Sequence, residues 1–171
     1  MASSSPREWQ KDSYTLTTSP TAITPEVLNS FFATPEMYWA HALPASATQS
    51  LISNSLNFTL LPPTFSSSPS PASQEPIGYA RLITDYTTFA YLTDVYMSPI
   101  HQGKGLGKWM IRCISEVLDE MPHLRRSMLV TGDLDVSVPF YEKVMGMHCI
   151  GEKMEGETKH DRGLAVMTRV G

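Results

Sequence analysis

The stretch that most narrows the possible folds is SPIHQGKGLGKWMIRCISEVLDEMP, Ser98 to Pro122. It places Gly103, Gly105 and Gly107 within five residues, among Gln102, Lys104 and Lys108, and no acidic side chain appears before Glu116. Leu106, Met110, Cys113, Ile114, Val117, Leu118 and Met121 then recur at the period of a helix with one buried face, which Pro122 ends. Just upstream, IGYARLITD (77–85) and TFAYLTDVYM (88–97) read as two strands joined by a short turn. A strand that feeds a glycine turn opening a helix points to an α/β architecture.

The flanking segments extend that pattern. SYTLTT (13–18) alternates and reads as a strand, and in TPEVLNSFFAT Thr24 is the N-cap, Pro25 the first helical residue and Val27, Leu28, Phe31 and Phe32 one face. SATQSLISNS reads as a short helix passing into a strand near Leu56–Leu61. After Pro122, SMLVTGD is a strand, VPFYEKVMG a helix stopped by Gly146, and HCIGEKM and GLAVMTRV a closing hairpin around a polar connection. The expected order is β-α-α-β-β-β-α-β-α-β-β, a mixed sheet. Residues 1–12 are polar and read as a flexible tail, and 13–171 as a single domain with an exposed Ser/Pro loop at 64–76.

Composition removes several function classes. The chain has 171 residues, 42% of them hydrophobic, which is enough for one sizeable core. A net charge of -4 argues against a dedicated nucleic-acid binder. Cys113 and Cys149 lack metal-ligand spacing, and the five histidines share none either, so no metal is expected and each histidine reads as exposed or satisfied. The start, MASSSPREWQKDS, has no apolar leader, and no apolar run approaches the ~20 residues that span a bilayer. The expectation is a protein without a membrane partner, in the cytoplasm, with the nucleus left open.

The glycine turn fails two phosphate fingerprints. G-x-G-x-x-G would need glycine where Lys108 stands, and a Walker loop would need glycine at Gln102 and Ser or Thr at Trp109. Q-x-x-G-x-G remains. The first four N–H groups of a helix lack intrahelical acceptors and carry its positive dipole end, and glycines remove the Cβ between backbone and an anionic oxygen. A pyrophosphate suits such a turn, and so does a plain loop-to-helix junction.

The flanks carry more. Gln102, Gly105 and Gly107 after DVYMSP resemble the R/Q-x-x-G-x-G/A motif of the GNAT superfamily of acyl-CoA-dependent N-acetyltransferases, and Phe140, Tyr141, Lys143 and Gly146 resemble its F-Y-x-K-x-G-F. Tyr38-Trp39, Asn54-Ser55-Leu56, Gly78-Tyr79-Ala80-Arg81, Thr84-Asp85 and Thr88 to Val95 are similar to a small subgroup of that family, over about residues 13–168. The resemblance implies a mixed sheet splayed between its fourth and fifth strands, with helices on both faces and a bulge near Asp94–Tyr96. It implies acetyl-CoA as co-substrate, held by main-chain groups of Val95 and Met97 at the pantetheine arm. Gln102, Gly103, Lys104, Gly105, Leu106, Gly107 and Lys108 would hold the pyrophosphate.

The implied chemistry is direct attack of an amine on the thioester in a ternary complex. Tyr141 matches the tyrosine that protonates the leaving thiolate; the other reading is a core tyrosine. Where some relatives carry a glutamate base, Thr93 and Tyr91 stand here, so Asp94 is the candidate to anchor or deprotonate the amine, or else a carboxylate that pins the bulge. Asp85 reads as a turn residue. Tyr38, Trp39 and Thr93 would line the acceptor pocket, with core packing the alternative for the aromatic pair. The acceptor is a small-molecule amine or an exposed protein or peptide amine, and the protein is a monomer or homodimer. A catalytically inactive acyl-CoA-binding regulatory module is the competing class, and a nucleotide-binding protein a third.

Overall fold

The computed structural model describes residues 5–63, 75–153 and 163–171. The loop expected at 64–76 lies outside them except for Glu75 and Pro76, as does most of the connection between the last two strands. In chain order the chain forms β1 (Glu8–Lys11), β2 (Tyr14–Thr17), α1 (Pro25–Phe32), a 3-10 turn (Pro35–Met37), α2 (Ala45–Ser53), β3 (Leu56–Leu61), β4 (Gly78–Thr84) and β5 (Phe89–Met97). A further 3-10 turn (Pro99–His101) leads to α3 (Leu106–Asp119), β6 (Arg126–Thr131), α4 (Ser137–Met145), β7 (His148–Lys153) and β8 (Leu164–Val170). The strands make one mixed eight-stranded sheet in the order β1-β2-β3-β4-β5-β6-β8-β7. This is the expected α/β class.

One element was not expected. Residues 8–11, read from the sequence as tail, form β1, antiparallel to β2 from Glu8↔Thr17 to Lys11↔Tyr14. The two residues between, Asp12 (φ 47°) and Ser13 (φ 70°), are both left-handed, which is the geometry of a tight hairpin whose twist matches its strands. Arg7 N donates to Thr18 Oγ1 at 2.8 Å and Thr18 N to Arg7 O at 2.9 Å, closing the open end. Trp9 sits with its ring 6.1 Å from Phe58, under the Arg7 guanidinium at 4.9 Å. Buried apolar area and a cation over an aromatic face outweigh the polarity of the segment.

The chain divides into two compact units. The first takes the residues up to Leu82 together with Asp94–Met110. Its core gathers Ile23, Leu28, Phe31, Phe32, Met37, Ile52, Tyr79 and Tyr96, with Phe31 and Tyr96 stacked at 4.4 Å. Here α1 starts as expected: Thr24 Oγ1 accepts from Val27 N at 3.4 Å, Pro25 occupies the first turn, and Leu28, Phe31 and Phe32 are buried. Antiparallel β3 and β4 run from Leu56↔Leu82 to Leu60↔Gly78.

The second unit takes Ile83–Thr93 and Ile111–Gly171. The parallel register of β5 with β6 covers Phe89↔Arg126 to Leu92↔Leu129. The turn before β5 is built on Asp85, whose carboxylate accepts from Thr87 N (2.9 Å), Thr88 N (2.7 Å), Phe89 N (3.0 Å) and the Thr88 hydroxyl (2.6 Å). The Thr88 hydroxyl, followed by these amides, holds the Asp85 carboxyl well below the usual carboxylate range. Arg169 of β8 ties helix ends together: Nη1 donates to Ser115 Oγ (3.0 Å) and Met145 O (3.1 Å), and Nη2 to Asp119 Oδ1 (2.7 Å).

Candidate active site

The first unit carries the end of β5, the glycine turn and the start of α3. In β5 every second side chain is buried, through Asp94 to Tyr96, but the backbone of Asp94 leaves the extended conformation with φ 52°. A left-handed non-glycine residue costs about 1–2 kcal/mol, least for Asp and Asn, and inside a strand it is the conformation of a bulge. The irregularity expected near Asp94–Tyr96 therefore falls on Asp94 itself.

Asp94 is buried, and its carboxylate is engaged. Arg81 Nε and Nη2 each lie 2.7 Å from Asp94 Oδ2, and Arg81 Nη1 donates to Ser55 Oγ at 3.2 Å. The arrangement matches the bulge-pinning role named above better than that of a proton acceptor. One register step away, the Tyr79 hydroxyl donates to Asn57 Oδ1 at 2.5 Å, and Asn57 Nδ2 donates to Ile52 O (2.8 Å) and Ser55 O (3.1 Å). Burial, opposed by Arg81 and reinforced by Asp94, raises the Tyr79 pKa, so its hydroxyl stays a donor.

Past Met97 the backbone is fastened on both sides of the turn. Ser98 N donates to Ile77 O (2.8 Å), Gln102 N to Pro99 O (3.2 Å) and Gln102 Nε2 to Met97 O (3.1 Å). The first helical bond of α3 is Trp109 N to Gly105 O at 3.1 Å. Among the described residues, the amides from Gly103 to Lys108 donate to no protein acceptor. Gly103 (φ 76°) and Gly105 (φ 71°) are left-handed, so the turn needs glycine there. Gly107 has no such requirement, yet a Cβ at any of the three would meet nothing within 4 Å.

The first turn of α3 has no acidic residue and contains Lys108, the reverse of what the dipole of an isolated helix favours. Leu106 differs from its neighbours in that its side chain is core, so only its amide is available to a ligand. His101, expected to be exposed or satisfied, is neither: its Nδ1 is buried with no hydrogen-bond partner among the described residues, and burial followed by Lys104 lowers its pKa.

The remaining candidates sit around this frame. Val95 and Met97 are half-buried on β5. Tyr38 and Trp39 follow the first 3-10 turn, 42% and 48% exposed and edge-on at 4.9 Å, which favours a surface role over core packing. Their segment is clamped to α1 by Asn29, whose Nδ2 donates to Leu43 O (2.8 Å) while its Oδ1 accepts from Leu43 N (3.0 Å) and the Thr48 hydroxyl (3.1 Å). Thr93 and Tyr141 belong to the second unit. Tyr141 is buried on α4, its ring edge-on to Phe140 at 5.1 Å, and burial pushes its pKa up to about 12. No protein hydrogen bond to its hydroxyl is found among the described residues.

Sequence reasoning missed Arg81 as a partner of Asp94, and Asn29 as a clamp. An asparagine in the middle of an apolar-periodic helix is a poor helix former and was the available signal for the latter. No group of three or more His, Cys, Asp or Glu side chains that could hold a metal occurs among the described residues. No helix among them is long and apolar enough to cross a membrane.

Comparison with known proteins places this mixed sheet, with its irregular strand and glycine turn, in a family. The model of the acetyltransferase (GNAT) family matches residues 24–147. A Gibberella zeae protein named "Putative acetyltransferase FG08082" is 35% identical over 150 residues, covering 83% of each chain. The crystal structure of a GNAT-family protein from Xanthomonas campestris pv. campestris superposes with TM-score 0.58 at 26% identity, over 75% of this chain and 82% of that one. Arabidopsis thaliana NAA60 in complex with acetyl-CoA shares the fold, with TM-score 0.61 at 12% identity, over 86% of this chain and 96% of that one. This chain belongs to the GNAT acetyltransferase family.

Proposed function

We propose that the protein is an acetyl-CoA-dependent N-acetyltransferase that passes the acetyl group to a primary amine by direct attack in a ternary complex. The observation that carries this reading is the run of amides from Gly103 to Lys108 that meet no protein acceptor among the described residues, in a turn whose three glycines would each leave a Cβ without a neighbour. A diphosphate offers what such donors lack, and Lys104 and Lys108 add charge. Main-chain groups of Val95 and Met97 would take the pantetheine arm and the acetyl carbonyl. Acetyl-CoA would supply the activated thioester; this chain's residues would orient it and manage protons.

Tyr141 is the proposed acid for the departing thiolate. Burial keeps its hydroxyl protonated well above neutral pH, as a donor must be, and no other protein group among the described residues claims it. With Asp94 held by Arg81, no carboxylate at the kink is left to act as base, and the acceptor enters as its neutral fraction, about one part in 10³ at pH 7 for an alkylamine of pKa ~10. For such an acceptor kcat/KM should climb about tenfold per pH unit from pH 7 to 9. A plateau beginning near pH 7 would return a base to the mechanism.

Two acceptor types are compatible with the fold. Structural neighbours include a spermidine N-acetyltransferase chimera and a ribosomal-protein-S18-alanine N-acetyltransferase. The exposed Tyr38–Trp39 pair suits an acceptor with an apolar or cationic portion beside its amine. Free-thiol release from acetyl-CoA with spermidine, tryptamine and peptides bearing α- or lysine amines tests the reading. Turnover with at least one is expected. Tight coenzyme A binding without thiol release would instead identify a non-catalytic acyl-CoA-binding module.

A further inference from the structure

The buried ion pair between Arg81 and Asp94 has no part in gripping a diphosphate, yet it sits on the one non-glycine residue of β5 with a left-handed backbone. Side-chain exposure is 14% for Arg81 and 8% for Asp94, so both charges have been taken out of water. Removing an ion pair from water costs more than its attraction returns unless the geometry is good, and such pairs are better explained by what they hold than by net stability. Here both fork nitrogens of Arg81 converge on Asp94 Oδ2, and its third donor reaches Ser55 Oγ ahead of β3. One guanidinium therefore ties β4, the entry to β3 and the kink of β5.

We propose that Arg81 is a positioning residue: it locks the left-handed conformation at Asp94 and thereby sets where the main chain of Val95 to Met97 presents its groups to the acyl thioester. This rests on the acyl-CoA reading above. Asp94 on its own tolerates the left-handed region but does not impose it, since the extended region is equally open to aspartate. Without the fork the strand can relax to regular pleat, which rotates the following peptide groups. The glycine turn also has fastenings outside that segment, Ser98 N to Ile77 O and Gln102 N to Pro99 O. The two parts of the ligand are thus held by separable devices.

The test compares affinities for 3′-phosphoadenosine 5′-diphosphate, the part of coenzyme A that keeps the diphosphate and lacks the pantetheine arm, and for acetyl-CoA by titration calorimetry, and needs no acceptor. Arg81→Lys keeps the charge and loses the fork. The pair Arg81→Met with Asp94→Asn removes both charges and leaves none buried alone, and asparagine still accepts a left-handed backbone. Thermal unfolding checks that each variant is folded. The expected result is unchanged affinity for 3′-phosphoadenosine 5′-diphosphate, with acetyl-CoA affinity reduced by about threefold to tenfold for each main-chain hydrogen bond displaced. Unchanged affinity for both ligands, in either folded variant, overturns the proposal. So does a parallel loss for both, which would mean a general loosening. A wild-type protein that binds neither ligand fails one step earlier, at the acyl-CoA reading, and takes this inference with it.

Discussion

At Gly103 and Gly105 the backbone demands glycine, because φ values of 76° and 71° strain any other residue. At Gly107 it does not, and this separates ligand from fold. Alanine at 107 lies in the first turn of α3, where it should hold or raise stability by up to about 1 kcal/mol. A methyl among the donors should nevertheless lower coenzyme A affinity about tenfold or more, the worth of a hydrogen bond to a charged group. Calorimetry and thermal melts on Gly107→Ala give both numbers, and a parallel change in the two would deny the glycine its ligand role. Tyr141→Phe should cut kcat by about 10²–10⁴-fold and leave coenzyme A affinity unchanged. Because burial pushes the Tyr141 pKa up to about 12, the wild-type rate should show no descending limb near pH 10. The same shift has a stability sign: the unfolded tyrosine ionises near ~10, so its unfolded state loses the proton first and stability falls as pH rises from there toward 12.

At the scale of elements, Arg169 makes the clearest structural prediction. It satisfies the Met145 carbonyl at the end of α4, the Ser115 hydroxyl of α3 and the Asp119 carboxylate, of which only the last is well exposed. Arg169→Met should cost about 1–3 kcal/mol through the polar groups left behind, with a lower melting temperature and unchanged coenzyme A affinity. The elements also show what a sequence discloses. The helices and most strands follow from periodicity and caps: Thr24 and Pro25 start α1, Pro122 follows α3, and Gly146 caps α4. The strand β1 does not, because Glu-Trp-Gln-Lys has no apolar alternation and its turn is Asp12-Ser13 rather than a glycine pair. The link from Arg81 to Asp94 was equally hidden. Period two places Tyr79 and Arg81 on one face of β4, but the partner thirteen residues on depends on β4 lying beside β5 and on an irregularity that no periodicity reveals.

For the whole molecule, the glycine turn was the most legible part of the candidate site, since its chemistry lies in local main-chain geometry and contiguous residues encode it. The acceptor side was the least legible. Tyr38 and Trp39 could equally have been core until their exposure was seen, and the Asn29 clamp that fixes their segment spans fourteen residues or more. A molecule built this way should gain stability from coenzyme A by mass action, about 2.7 kcal/mol at a hundredfold excess over Kd. ATP and NAD lack the pantetheine arm that β5 would hold and should give a smaller shift.

The most direct measurement is an amide-resolved NMR titration with coenzyme A. Saturating ligand should move the backbone amide resonances of Gly103, Lys104, Gly105, Leu106, Gly107 and Lys108 farther than any others in the protein. If those signals stay in place while coenzyme A binds elsewhere, or if it does not bind at all, the assignment of these donors to a diphosphate is wrong.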